Sequence, residues 1–272
     1  MAEPANRRWV YRHTLATRLS HWITVLALAV LVPSGFQIFN AHPALYWGER
    51  SDRDRPLFAL SARISASGEL RGVTEILGHP VDTTGILGAS AEGAERAARG
   101  FPAWATLPSG QWLAMGRRWH LFFAWIFVLN GLVFGVYALA SRHLTRELLP
   151  SRRDLATIGR SLREHLRLRF PAGEPHYNVL QKIAYSSVIG GLGSLIVLTG
   201  LAMSPWVDAA VPALPAVFGG RQSARTVHFL VTIAFLGFIA MHVFMVAVTG
   251  VLNNVRSMLT GWYRATESGG QE

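Results

Sequence analysis

The chain has 272 residues, of which 50% are hydrophobic, 15% charged and 11% aromatic, with 26 Lys and Arg against 16 Asp and Glu and no cysteine. The missing cysteines exclude disulfides, thiolate-bound zinc and cysteine-ligated iron–sulfur clusters within this chain. Because the apolar residues fall into four long uncharged runs, membrane topology and contact with anionic lipid account for the net charge of +10, and no nucleic-acid partner is inferred.

From Met1 to Ser20 the chain carries Arg7, Arg8, Arg12 and Arg18 against one acid, Glu3. No small-x-small cleavage site closes the apolar run that follows, so this segment reads as a retained cytoplasmic anchor rather than a signal peptide. The first predicted span covers residues 20–39 and opens on His21-Trp22. Pro33 and Gly35 interrupt it and either bend the helix or leave room for a flat ligand. Arg18 lies one helical turn before His21, where its cation can face a haem propionate while the imidazole meets the iron.

Residues 40–116 lack sustained hydrophobicity. Seven Arg and eight acids lie between Ala41 and Met115, whereas the N-terminal tail and the later link are basic. The positive-inside rule therefore puts both termini in the cytoplasm and this loop outside. Pro43, Pro56, Pro80 and Pro102, with many glycines, predict short elements and turns over the bundle, which also offer a docking surface for a redox partner. The second span, 118–140, follows Arg117 and carries Arg118 and His120; the two arginines are placed for propionates.

The inner link, 141–178, holds eight Arg and four acids. Leu155, Ile158, Leu162 and Leu166 recur at helical spacing, which predicts an amphipathic helix on an anionic leaflet. His143, His165 and His176 read as surface or interface residues of this link. The third span, 179–202, has no histidine, but Gly190, Gly191, Gly193 and Gly200 reduce its bulk. The fourth, 225–252, carries His228 and His242. Fourteen residues of α-helix hold these imidazoles roughly 21 Å apart and about 40° apart in direction. The predicted fold is thus all-α: a four-transmembrane-helix bundle with a long extracytoplasmic loop, forming a single membrane domain over residues 1–272.

Depth sets the pairing of the histidines. His21 begins span one at the inner side, where span four ends with His242; His120 begins span two at the outer side, where span four begins with His228. Unpaired imidazole in hydrocarbon is costly, and neutral imidazole is an axial ligand of haem iron, so two pairs predict two haems. A zinc or copper site needs fewer histidines and does not explain two separated pairs.

These residues resemble the prokaryotic di-haem cytochrome b subunits that anchor nickel-iron hydrogenases, formate dehydrogenase and thiosulfate reductase. The resemblance runs from Arg18-Leu19-Ser20-His21-Trp22 through His120 and Tyr177-Asn178-x-x-Gln181-Lys182 to His228 and His242. It implies two haem b, bound by His21 with His242 and His120 with His228, and a quinone (ubiquinone or menaquinone) in a pocket near the inner haem that includes Asn178, with Gln181 a turn away. It also implies a catalytic subunit on the extracytoplasmic side of the bacterial inner membrane. Tyr11-Arg12-His13 and Phe39-Asn40-Ala41-His42-Pro43 look closer to the branch that includes thiosulfate reductase and the cytochromes accompanying sulfite-oxidase-like molybdenum proteins. On this reading the chain is a respiratory electron-transfer subunit between a substrate-converting partner and the quinone pool. Three other readings stand beside it: a stand-alone quinol-dependent cytochrome b oxidoreductase using soluble oxidants, a transporter, and a cofactor-free membrane anchor.

Overall fold

The computed structural model describes residues 7–93, 95–144, 149–167 and 179–266. Asn178 and His176 lie outside the described residues, as does the side chain of His165. Four helical stretches are long and apolar enough to cross a membrane: α1 (Leu15–Phe39), α2 (Leu113–Ala140), the composite Val179–Ala202, and α9 (Arg221–Val248). At most 22% of the most apolar window in any of them is covered by protein, so the other side chains are suited to hydrocarbon contact. The chain is a mostly helical membrane protein.

The expectation of an all-α protein is corrected by eight strands among the described residues. Two of them, β1 (Arg7–Tyr11) and β8 (Trp262–Thr266), pair antiparallel and join the two ends of the chain. The others fall between α1 and α2. There β2 (Ala44–Leu45), β3 (Phe58–Ile64), β4 (Leu70–Ile76) and β5 (His79–Asp82) form one antiparallel sheet, while β6 (Ala89–Glu92) and β7 (Glu95–Ala98) form a second pair. The physical reason is visible in β3 and β4. Every second residue faces one side, with Leu60 and Thr74 opposite each other and buried, so a half-covered sheet satisfies the backbone where no helical stripe exists. Leu77 and Gly78, both at positive φ, make the two-residue turn between β4 and β5.

The helical elements also differ from expectation in their bounds. The helices that carry the first, second and fourth apolar runs begin four to five residues before the runs, since helical backbone hydrogen bonding continues into the polar flanks. The third consists of α5 (Val179–Ser186), a wider π-helical stretch at Ser187–Leu192 containing Gly190 and Gly191, and α6 (Gly193–Ala202). The inner link is two short helices rather than one, α3 (Arg152–Ala156) and α4 (Ile158–Leu166). Ser151 and Asp154 cap α3 reciprocally, and the break falls at Thr157. Between α6 and α9 lie α7 (Pro205–Ala210) and α8 (Ala213–Val217); α10 (Val251–Thr260) follows α9.

The chain divides into two compact units. The first comprises Met1–Ile23, Leu129–Ser194 and Ile233–Glu272. In it the β1–β8 ribbon is held by Tyr11 edge-on to Trp262 at 5.3 Å and by the Arg12 guanidinium 4.7 Å from the centre of the Tyr263 ring. Gly261 is required at the turn into β8: its φ is +90°, and a Cβ there would lie 2.5 Å from the Tyr11 ring. Trp22 Nε1 donates to the Met258 carbonyl, which satisfies an orphan acceptor in the last turn of α10.

The second unit comprises Thr24–Val128 and Leu195–Thr232. Its core is Phe39, Leu45 and Leu60, with Phe58, Leu87, Phe101 and Phe229 against it. Phe39 and Phe101 come from opposite ends of the sheet-bearing segment, and Phe229 from α9, so the sheets are fixed by aromatic packing to helix ends. The first turn of α9 is further stitched to residues 42–48. Gln222 and Ser223 donate backbone N–H groups to the Gly48 carbonyl, and the Thr226 hydroxyl donates to the Tyr46 carbonyl.

Candidate cofactor sites

The first unit brings His21 of α1 to His242 of α9, with ring centres 6.3 Å apart and planes at 55°. Phe238, one turn before His242, stacks on it at 5.8 Å, and Tyr185 of α5 meets Phe238 edge-on at 6.4 Å. Asn130 of α2 donates to the Ser20 carbonyl, fixing the backbone beside His21. Arg18 donates through Nη1 to the Leu259 carbonyl and thereby caps α10, a role the sequence does not disclose. Its Nε is buried and has no hydrogen-bond partner among the described residues, and neither has Nδ1 of His21. Nearby His13 precedes α1 and is buried; burial, then the Arg12 cation, lowers its pKa to about 4, so it is neutral at physiological pH.

Gln181 lies half-buried on α5 in the same unit. Its neighbour Lys182 donates to Asp154 of α3 at 2.9 Å, which ties the inner link to the third span. Hydrogen bonds from Ser151 and the contact with Lys182 lower the Asp154 carboxyl to about 2.

The second unit brings His120 of α2 to His228 of α9. Their ring centres are also 6.3 Å apart, with planes at 62°. His120 Nδ1 lies 3.1 Å from the Leu31 carbonyl and 3.2 Å from the Ser34 hydroxyl. His228 Nδ1 lies 3.0 Å from the Thr199 hydroxyl. Ser34 and Thr199 are fully buried in α1 and α6. Arg117 and Arg118 are exposed on the turn of α2 that precedes His120.

These two geometries fit haem. A metal–nitrogen distance of about 2.0–2.1 Å on each side, with roughly 1.1 Å more to each ring centre, puts two axial imidazoles about 6.3 Å apart. Both pairs have that separation. The Leu31 carbonyl can only accept, so His120 is protonated on Nδ1 and presents the lone pair of Nε2 as a ligand. The orphaned Nε of Arg18 fits an anionic propionate. Among the described residues no group of three or more His, Asp or Glu could hold a metal ion by side chains alone. Sequence reasoning missed Leu31, Ser34 and Thr199. A hydroxyl in an apolar helix gives no linear sign of whether it faces lipid or a ring.

Four membrane-length helices with two facing imidazole pairs point to the class of membrane cytochromes. The family of prokaryotic cytochrome b561 matches residues 12–261, and the chain belongs to it. Membership implies haem b and a role in membrane electron transfer. The chain is also 27% identical over 231 residues to YedZ1 of Azospira oryzae, described as a putative protein-methionine-sulfoxide reductase subunit; the match covers 85% of this chain and 87% of that protein.

Proposed function

We propose that this chain is the di-haem, quinone-linked electron-transfer subunit of an oxidoreductase whose catalytic subunit lies on the extracytoplasmic face. The observation that carries the reading is the repeated 6.3 Å separation of the two imidazole pairs. Haem b, when bound, passes single electrons by cycling its iron between ferric and ferrous states. The chain's own residues then have distinct tasks. His21 with His242, and His120 with His228, would hold the haem irons through ring nitrogens. Arg18, and Arg117 with Arg118, supply cations for propionates. Asn178 and Gln181 supply amides that can donate to a quinone carbonyl and accept from a quinol hydroxyl.

The description of the Azospira oryzae relative supports a partner that reduces methionine sulfoxide in proteins. That reaction consumes two electrons and two protons and releases water, so electrons would flow from quinol through this chain to the partner. The basic N-terminal segment and link support cytoplasmic termini in the inner membrane and an anionic-lipid contact for the link. The region 40–116 and the connection 204–220 then form the docking side.

The test is a pyridine haemochrome assay against protein mass, followed by reduction with a quinol analogue. Two haem b per chain, both reduced by quinol, are expected. One haem per chain refutes the paired reading, and two haems inert to every quinol tested remove the quinone link.

A further inference from the structure

The outer pair has a feature that its ligand role does not require: one short device occurs twice. On α1 it is Ser34-Gly35, facing His120; on α6 it is Thr199-Gly200, facing His228. Each hydroxyl belongs to a fully buried residue and sits within hydrogen-bond distance of the Nδ1 atom of its histidine. Each following glycine lies under the same ring. A Cβ on Gly35 would stand 3.3 Å from His120 Cε1, and one on Gly200 would stand 3.4 Å from His228 Cε1.

The direction of these hydrogen bonds follows from proton counting. Ser34 donates its single hydroxyl proton to the Val30 carbonyl at 2.6 Å, and Thr199 donates its own to the Leu195 carbonyl at 2.7 Å. What remains toward each histidine is a lone pair, so Nδ1–H of the histidine is the donor. At His120 the Leu31 carbonyl is a second acceptor for the same ring. In the inner pair, by contrast, Nδ1 of His21 has no partner among the described residues. The two sites therefore differ in what surrounds their ligands, although their ring separations agree.

We infer that Ser34-Gly35 and Thr199-Gly200 are matched positioning clamps that fix His120 and His228 as Nε2 ligands and hold the outer haem at a lower potential than unclamped imidazoles would. This rests on the bis-histidine reading above. The physical cause is ligand basicity. A hydrogen bond donated from Nδ1 moves electron density toward Nε2, which favours ferric over ferrous iron. The fixed ring orientation also sets the angle between the two imidazole planes, which the ferric spectrum reports. His120 keeps the Leu31 carbonyl when the Ser34 hydroxyl is removed, so Ser34→Ala weakens one clamp, and Thr199→Val takes the hydroxyl acceptor from the other.

The experiment compares Thr199→Val, which keeps shape and loses the acceptor, with Thr199→Ser, which keeps the acceptor. Ser34→Ala and the double variant with Thr199→Val are measured beside them. The outer haem is first identified as the species lost in His228→Ala. If that variant loses no haem, the bis-histidine reading itself fails, independently of the clamps. With the outer haem identified, Thr199→Val is expected to raise its midpoint potential and shift its low-spin ferric EPR signal, and the double variant to raise it further. Thr199→Ser should match the wild type, and the inner haem should not move. An outer haem retained in the double variant with unchanged potential and EPR signal overturns the inference. If Thr199→Val loses the outer haem, retention in Thr199→Ser supports a hydroxyl clamp, and loss in both overturns it in favour of simple packing.

Discussion

The Arg225 guanidinium lies 2.8 Å from the Ala44 carbonyl oxygen and also donates to the carbonyl of His42, while its face covers the Phe39 ring at 5.3 Å. One side chain in the first turns of α9 thus holds the segment that leaves α1. Its cation is half-buried and meets carbonyl dipoles instead of a carboxylate. Replacing it by Met strands two carbonyl groups and removes two charge-assisted hydrogen bonds, a loss of about 2–4 kcal/mol. The expected outcome is a lower unfolding temperature by scanning fluorimetry in detergent, with Arg225→Lys intermediate. An unchanged transition in Arg225→Met would show that the aromatic core alone holds this segment.

Asp154 and Lys182 make the inner link pH-sensitive. The carboxyl has a folded pKa of about 2, below its ordinary value of 3.8. Its contribution is therefore fully present above the unfolded pKa and is lost as pH falls through 3.8 toward 2. A spin label at Leu162 should gain mobility in that window in the wild type. In Asp154→Asn it should already be mobile at neutral pH, since both the cap acceptor charge and the Lys182 contact are weakened. Equal mobility in the two proteins at neutral pH would count against the tie.

Single histidine replacements should sort into two classes. His120→Ala and His228→Ala are expected to lose one spectral species, and His21→Ala and His242→Ala the other, each leaving about half of the haem. Redox-difference spectra of the four purified variants provide the measurement. Loss of the same species in His21→Ala and His120→Ala would break the proposed pairing.

Asn178→Asp tests the proposed quinone contact. Aspartate preserves capping capacity at a helix start but lacks the amide donor. Both haems should remain, and quinol-driven reduction should slow by about 10-fold if about 1.4 kcal/mol is lost from the reacting state. Wild-type rates in a fully loaded variant would remove Asn178 from the quinone pocket. Loss of haem would assign it a structural role instead.

The strands between α1 and α2 show why part of the fold is hard to read from the chain alone. Pro56, Pro80 and several glycines punctuate that region, so it presents as turns, while the two-residue alternation in β3 and β4 is only seven residues long in each strand. Such short strands are settled by pairing. Leu60 is buried because Thr74 and the Phe39 cluster come to it, and no linear pattern names those partners.

By itself the sequence determined the four membrane-length runs and the position of each histidine along them. Crossing hydrocarbon demands about 20 apolar residues with internally paired backbone, and a polar ring near a run's end has a depth set by counting at about 1.5 Å per residue. Only the tertiary structure decided what surrounds those rings. Arg18 reaches the carbonyl of Leu259, 241 residues away, and Thr199 reaches His228 from one helix to another. A hydrogen bond of that kind depends on the rotation of each helix about its own axis, which side-chain packing sets and apolar composition leaves open.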